Sequence, residues 1–408
     1  MSAVNGVDQN RISLIFFIIG FIVIFPIFIR LPLIPIPMPI GIVIISLFSI
    51  LLIGKYFFSI EKLIFPINWV FLISGYIFTI FISLFVSAHD SYLPYSSLLA
   101  AFQMILPIGT FFIFLNILNS RKNYISIIYG AYSAVFLFSI LVLLSKNNLL
   151  LPNVFEDVHP VLAGPFEFYQ FRQYVGTVMA AVMLLGLFMP RSKFNDLILL
   201  IFSFIIVLAI SEMFTSAGAM LSLVSFMLIA YRFLGFLKLI LVLPIIFIAL
   251  FYAGFGIAIQ EAVSYELLNI ARAGNRFEVW SKSIKIIKNS PIIGNGFRFD
   301  STIQERMLLS HSQPLNTFTR AGIFPFLIWI CIIFYALYRS YGLVRLGYYS
   351  EKYYGYVGLL IATIQLLFFA SMVTTNFDQP YSGTVIWLYI ALIERSYFFL
   401  DNEKTTYE

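Results

Sequence analysis

The sequence predicts an all-α polytopic membrane protein of about twelve transmembrane helices, and three observations predict it. Of its 408 residues 61% are hydrophobic and 11% are charged, with a mean hydropathy of +0.96; a soluble globular chain carries about 25% charge. Apolar runs near the roughly 20 residues needed to cross the hydrocarbon core recur along the chain. Lys and Arg gather in alternate loops between those runs, as expected of a chain threaded through a bilayer. No internal repeat is visible, so residues 1–408 read as a single integral membrane domain.

The runs lie near 13–29, 36–54, 64–86, 97–118, 125–145, 173–189, 196–211, 217–235, 237–256, 320–338, 356–373 and 383–399. The first begins near Ser13 without a small-residue cleavage site, so it reads as a spanning helix rather than a removable signal. The second is interrupted by PLIPIPMP, a lead-in rather than helix, because proline clashes with the preceding turn. The eighth and ninth are parted somewhere between Phe233 and Lys238.

One set of loops holds Lys55 and Lys62, Arg121 and Lys122, Arg191 and Lys193, Arg232 and Lys238, then Arg339, Arg345 and Lys352. The short loops of the other set hold only Arg30, Lys146 and Arg172. The basic set is expected to face the cytoplasm, with both termini. The formal charge of +6 is therefore topological and implies no nucleic-acid partner. Cys331 is the only cysteine and sits in an apolar run, which excludes an intrachain disulfide and argues against thiolate metal sites.

Two long polar loops fall on the opposite face, 146–172 and 257–319, with the turns SEMFTSAG (211–218) and TTNFDQPYSG (374–383). In RFEVWSKSIKIIK, Phe277, Trp280, Ile284 and Ile287 recur at helical spacing, and Glu278 and Lys282 stand four apart for an ion pair. Lys282, Lys285 and Lys288 form a basic edge that reads as membrane anchorage. Arg276 begins this helix one turn after Arg272, so two guanidinium groups and free backbone N–H groups can converge on an anion such as a diphosphate. Arg172 closes the aromatic loop FEFYQFRQY where a spanning helix begins, which suits either a second cation of a site or an arginine snorkelling beside an aromatic belt.

His311 precedes a helix start, with Ser312 as N-cap and Pro314 in the first turn. The positive end of that helix and nearby arginines favour a neutral imidazole able to accept a proton. His89 and His159 have acidic neighbours, but their spacing matches no metal-ligand pattern, so no metal and no cofactor is expected. Phosphate loops, GxSxG elbows and HExxH helices are absent.

Two linked patterns carry a resemblance. Arg276 to Gly296, within NRFEVWSKSIKIIKNSPIIGNG, resembles "GR..W..A....P..G.G". His311 to Gly322, HSQPLNTFTRAG, resembles "HN.YL......G", with Leu315 and Gly322 in place. Together they make the chain similar to the O-antigen polymerase and O-antigen ligase superfamily of bacterial envelope glycosyltransferases. The match covers about a hundred C-terminal residues, and the N-terminal half agrees by hydropathy. Two positions depart from the pattern: Ser312 replaces the usual Asn, and TSAGA at 215–219 places Ala217 where the family often carries Arg.

The resemblance implies a GT-C-like, metal-independent, inverting glycosyltransferase of the bacterial inner membrane, working at its periplasmic face in lipopolysaccharide biosynthesis. Arg276, with Arg172, would grip the diphosphate of an undecaprenyl-diphosphate-linked glycan, and His311 would orient or deprotonate the acceptor hydroxyl. Arg272, Arg320 and Tyr169 complete the expected substrate contacts. The expected partners are that glycan donor, a glycan acceptor, membrane lipids and a chain-length regulator. Polymerase, which joins repeat units on the carrier, is the preferred activity. Ligase, which moves the glycan to lipid A-core, is the alternative, and a transporter or flippase of lipid-linked glycans is the more distant one.

Overall fold

Inside hydrocarbon a chain must satisfy its own backbone N–H and C=O groups, which forces each long apolar run into a helix. The computed structural model describes residues 2–29, 38–47, 64, 66–88, 98, 101–102, 104–146, 161–163, 166–168, 172–213, 216–250, 270–294, 296, 312–373, 377 and 379–405. Among the described residues seven helices are long and apolar enough to cross a membrane, and three shorter apolar helices accompany them: Ile12–Ile24, Ile108–Ile117 and Tyr174–Phe188. The protein is a helical multi-pass membrane protein. The expected runs at 36–54 and 237–256 lie partly outside the described residues.

The helices are α1 (Ser2–Ile24), α2 (Ile67–Ala88), α3 (Ile108–Ile117), α4 (Arg121–Lys146), α5 (Arg172–Met183, tightening to 3-10 over Leu184–Phe188) and α6 (Lys193–Glu212). They continue with α7 (Ser216–Leu250), α8 (Ile270–Asn289), α9 (Gln313–Ala321), α10 (Ile323–Leu346), α11 (Tyr353–Thr363, running through a π-helical stretch at Ile364–Phe369 to Val373) and α12 (Pro380–Thr405). The boundary expected between Phe233 and Lys238 falls at Gly235, whose φ of 71° and ψ of 172° break α7. Only glycine visits that region readily.

The core forms around α5 and α12. Every residue from Tyr174 to Phe188 is buried, packed among α4, α6, α7, α11 and α12. Trp69 of α2, Phe111 of α3, and Phe377 and Trp387 at α12 make an aromatic cluster, with Trp69 and Trp387 centroids 6.3 Å apart. Helix α2 is peripheral and leaves Phe71, Phe78 and Phe85 exposed, which is where a bilayer would solvate them. Helices α1 and α4 approach so closely that a Cβ on Gly20 would meet the Ile127 carbonyl and one on Gly130 the Phe17 carbonyl. Small residues at such a crossing substitute van der Waals contact for the hydrophobic drive that lipid removes. Deep in the bundle Gln365, on the π-helical stretch, donates to the Leu221 carbonyl (3.1 Å) and Ser225 Oγ (2.9 Å). Ser225 Oγ in turn donates to the Ala180 carbonyl at 2.9 Å, so three helices share one buried amide.

Among the described residues, the loops of the basic set that carry Arg191, Arg232 and Lys352 meet at one end of the bundle. Arg232 donates to the Leu187 carbonyl at 2.6 Å and the Met189 carbonyl at 2.9 Å, and pairs with Asp196 at 2.8 Å. Lys352 donates to the Phe188 carbonyl at 3.1 Å. These cations satisfy carbonyls that the end of α5 leaves without an intrahelical partner. Nearby, Arg339 grips Glu394 through two bonds of 2.7 and 2.6 Å, and Trp69 Nε1 donates to the same carboxylate at 3.0 Å. Glu394, a charge that the sequence leaves inside a spanning run, is thus a fully engaged structural group.

At the other end lies a small sheet that the all-helical expectation omits. Strands β1 (Ile27–Ile29), β2 (Met38–Pro39), β3 (Val161–Ala163) and β4 (Phe166–Phe168) order as β2-β1-β4-β3. Each neighbouring pair is antiparallel, with Phe28 opposite both Glu167 and Pro39. Pro39 sits on the edge strand, the position a residue without an N–H tolerates. PLIPIPMP therefore leads into the second run partly as strand, and the loop 146–172 is tied to the end of α1.

Candidate functional site

The described part of the polar loop 257–319 and the helix that follows it, together the polar island, consists of α8, the turn 290–294 with Gly296, and α9. In α8, Ser283 is buried and Trp280 and Ile287 are half-buried, while Lys282, Lys285 and Lys288 are exposed. The basic edge thus points away from the packed face. Ile284 departs from the expected stripe, being 45% exposed. The side chains of Phe277 and Glu278 lie outside the described residues.

Glycines join the two halves of the island. Gly296 N donates to the Arg320 carbonyl at 2.9 Å, and Ile323 N to the Pro291 carbonyl at 3.0 Å. Ser83 Oγ of α2 also donates to the Arg320 carbonyl, at 2.9 Å. Gly322 has φ 86° and ψ −169°, a glycine-only conformation, and a Cβ there would meet the Ile292 carbonyl. A Cβ on Gly294, at φ 77°, would lie 2.5 Å from the Arg320 carbonyl. The glycines that end the two sequence patterns therefore touch each other through backbone alone.

Both α8 and α9 run toward this anchor and pack on each other. At 1.5 Å per residue, Arg276 stands about 21 Å back from Ser290 along α8, and Ser312 about 15 Å back from Gly322 along α9. The starts of the two helices thus lie on the same side of the anchor. Ser312 takes the N-cap position in extended conformation (φ −138°), with proline in the first turn, as expected, and its hydroxyl makes no capping bond. Arg320 sits in the last turn of α9, half-buried, with its carbonyl in the anchor.

The remaining contacts of α9 place the island against the rest of its end. Gln313 is fully buried, donates to Thr317 Oγ1 at 3.0 Å, and accepts from Phe377 N at 3.2 Å. Tyr381, four residues on, donates to the Ile24 carbonyl at 2.7 Å, where α1 enters the sheet. That sheet holds β4, four residues before Arg172 opens α5. Backbone placement therefore brings the starts of α5 and α9 to the same end of the molecule. Helix α8 begins at Ile270, six residues before the start expected at Arg276, so Arg272 and Arg276 lie in its first and second turns and the free backbone N–H groups of the first turn precede Arg276. The side chains of Arg172, Arg272 and Arg276 lie outside the described residues, as do Tyr169, His311, His89 and His159 altogether.

Sequence reasoning passed over Gln313, Asn316 and Thr317, all buried on α9. Their signal was available: polar residues at i, i+3 and i+4 following His311, in a chain where polar side chains are scarce. Comparison with known proteins adds no relative, since no family model and no curated sequence matches the chain.

Proposed function

We propose that this chain is an O-antigen polymerase, a twelve-span glycosyltransferase of a bacterial inner membrane with both termini in the cytoplasm. On this reading it joins undecaprenyl-diphosphate-linked repeat units at the periplasmic face, where the island lies. The observation that carries the reading is the glycine-to-backbone docking of Gly294 and Gly296 onto Arg320–Gly322. It joins the described parts of the two segments whose patterns resemble the family, and the reading is supported by the N-terminal halves of α8 and α9 lying on the same side of that joint.

In the proposed reaction an acceptor hydroxyl attacks the anomeric carbon of the donor glycan and the carbon–oxygen bond to the lipid diphosphate breaks. Inversion follows from a single displacement. His311 takes the hydroxyl proton or fixes the hydroxyl's direction. Arg276 and Arg172 hold the departing diphosphate, with Arg272, Arg320 and Tyr169 as further contacts, and cationic donors aimed at developing charge need no metal to act.

Complementation of a deletion strain tests this. Arg276→Ala and His311→Ala are expected to abolish long glycan chains while the protein stays in the membrane, and EDTA to leave purified activity intact. Normal ladders in both variants would sink the site. The deletion phenotype separates the two family activities. A single repeat unit on lipid A-core marks loss of a polymerase, whereas bare core with polymer on the carrier marks loss of the ligase. Bare core with single lipid-linked repeat units trapped on the cytoplasmic leaflet in the deletion strain would mark loss of a flippase instead.

A further inference from the structure

Helix α11 changes pitch halfway. From Tyr353 to Thr363 it is ordinary α-helix, but over Ile364–Phe369 it widens to π, and Ala370 N donates to the Gln365 carbonyl five residues back. Ser371 Oγ repeats that spacing, donating to the Leu366 carbonyl at 3.1 Å. A π turn stores one residue more than the α turns around it, and such turns recur at functional sites. The stored residue can migrate along a helix wherever the neighbouring residues accept a shift of one position.

Upstream they do not. A Cβ at Gly358 would lie 2.7 Å from the Leu184 carbonyl, and one at Gly355 2.6 Å from the Phe188 ring, so a neighbour moved into either place collides with the end of α5. Thr363 Oγ1 lies 3.3 Å from Ser340 Oγ, which ties the same half to α10. Downstream the sequence reads LLFFAS, in which like residues stand in pairs. If the stored residue passes toward Val373, each residue from Leu366 onward takes the place of the next. Leu366 then replaces Leu367 in the core, Phe368 replaces Phe369 on the exposed side, and Ala370 replaces the buried Ser371. One exchange is unlike: Phe369, 54% exposed, takes the place of the fully buried Ala370. Residues Ala370–Val373 pack on α9, so that exchange brings a ring into the segment facing α9.

Gln365 is the latch. Its amide donates to the Leu221 carbonyl and to Ser225 Oγ, both on α7, and Ser225 Oγ reaches the Ala180 carbonyl of α5. A buried amide is costly without such partners, so these bonds hold the widened turn where it is.

We propose that the π turn is a conformational joint, latched by Gln365, whose one-residue slip toward Val373 turns the end of α11 by about 100° and repositions α9. The inference concerns α11 and α9 alone and stands whether or not the island is a glycosyltransferase site. It gives α9 two placements, selected by whether the Gln365 amide is engaged.

Hydrogen exchange of the full-length chain in detergent, read by mass spectrometry, tests it. Gln365→Leu removes the latch while Ser225 keeps the Ala180 and Leu221 carbonyls as partners. Exchange across residues 366–373 and α9 is expected to quicken about tenfold as two hydrogen bonds are lost, with the segments of α5 and α7 around Ala180 and Ser225 unchanged. Equal quickening in all four segments, or in none, overturns the joint, because an amide that only binds helices together loosens every helix it touches. Deleting Leu367 removes the stored residue, so α9 is then expected to exchange at one rate with and without Gln365→Leu. A response of α9 to Gln365→Leu in that background overturns the slip. Where the deletion variant does not fold, the comparison of α9 with α5 and α7 in Gln365→Leu decides alone.

Discussion

At the basic end, α5 finishes on carbonyls that accept from Arg232 and Lys352, and long charged side chains hold the helix ends together. At the island end, the turn after α8 is held to the start of α10 by main-chain hydrogen bonds, with Gly294 and Gly322 carrying no Cβ where one would overlap the facing carbonyl. The two ends differ in what they tolerate. A side-chain cap can shift rotamer, share a carbonyl or be replaced by water from the headgroup region. A backbone contact made possible by an absent Cβ has no such freedom, because any side chain must enter the partner's carbonyl. The island end is thus the less forgiving one, as befits an end expected to hold reacting groups within narrow limits.

Gly322→Ala tests that difference most severely. It combines a glycine-only conformation, costing about 1–3 kcal/mol, with overlap against the Ile292 carbonyl, costing about 1–3 kcal/mol more. The expected outcome is the largest loss of melting temperature among these variants in detergent and, on the proposed polymerase reading, loss of glycan chain extension even where protein remains in the membrane. A variant that melts like wild type would show that the docked turn is not the anchor described.

The same contrast explains what could be read in advance. Apolar runs announce the bundle because lipid leaves no alternative to helix, and alternate-loop arginines announce which loops share an end. Arg232, Arg191 and Lys352 do share one, around Tyr354 and the end of α5. The sequence showed their charge and not their task, since capping of α5 depends on tertiary approach across more than forty residues. Glu394 was legible as a charge in an apolar run, but Arg339 and Trp69, its partners, are distant in sequence. The four strands were hidden because VLA and FEF are too short to display a period of two. The π-helical stretch at Ile364–Phe369 was hidden because only Gln365, reaching Ser225, reports on it. Within the site, the order of the two patterns and the helix start at Ser312 were legible. That their glycines meet was not, because contact between Gly296 and Arg320 is a property of the folded chain.

Arg232→Gln probes the basic end with an intermediate effect. It strips the caps from the Leu187 and Met189 carbonyls and leaves Asp196, 7% exposed, without its cation. Breaking a buried pair by removing one partner costs about 3 kcal/mol. Much of this is the stranded carboxylate, so adding Asp196→Asn should recover part of the loss in melting temperature. Equal melting of the single and double variants would show that the caps alone carry the effect.

Gly235→Ala separates conformation from contact and is the smallest of the three. Its φ of 71° and ψ of 172° place it in the same glycine-only region as Gly322, yet nothing lies within 4 Å of where its Cβ would be. Only the conformational part of the Gly322→Ala penalty therefore applies, about 1–3 kcal/mol at most. The kink has an escape that the docked turn lacks, because α7 can unbend toward ordinary helix on either side of residue 235. On the proposed polymerase reading chain extension should survive, while the melting temperature falls slightly. If Gly235→Ala proved as damaging as Gly322→Ala, the penalty at both positions would be strain in the chain itself, and close backbone approach at the island would lose its claim to explain why that end is rigid.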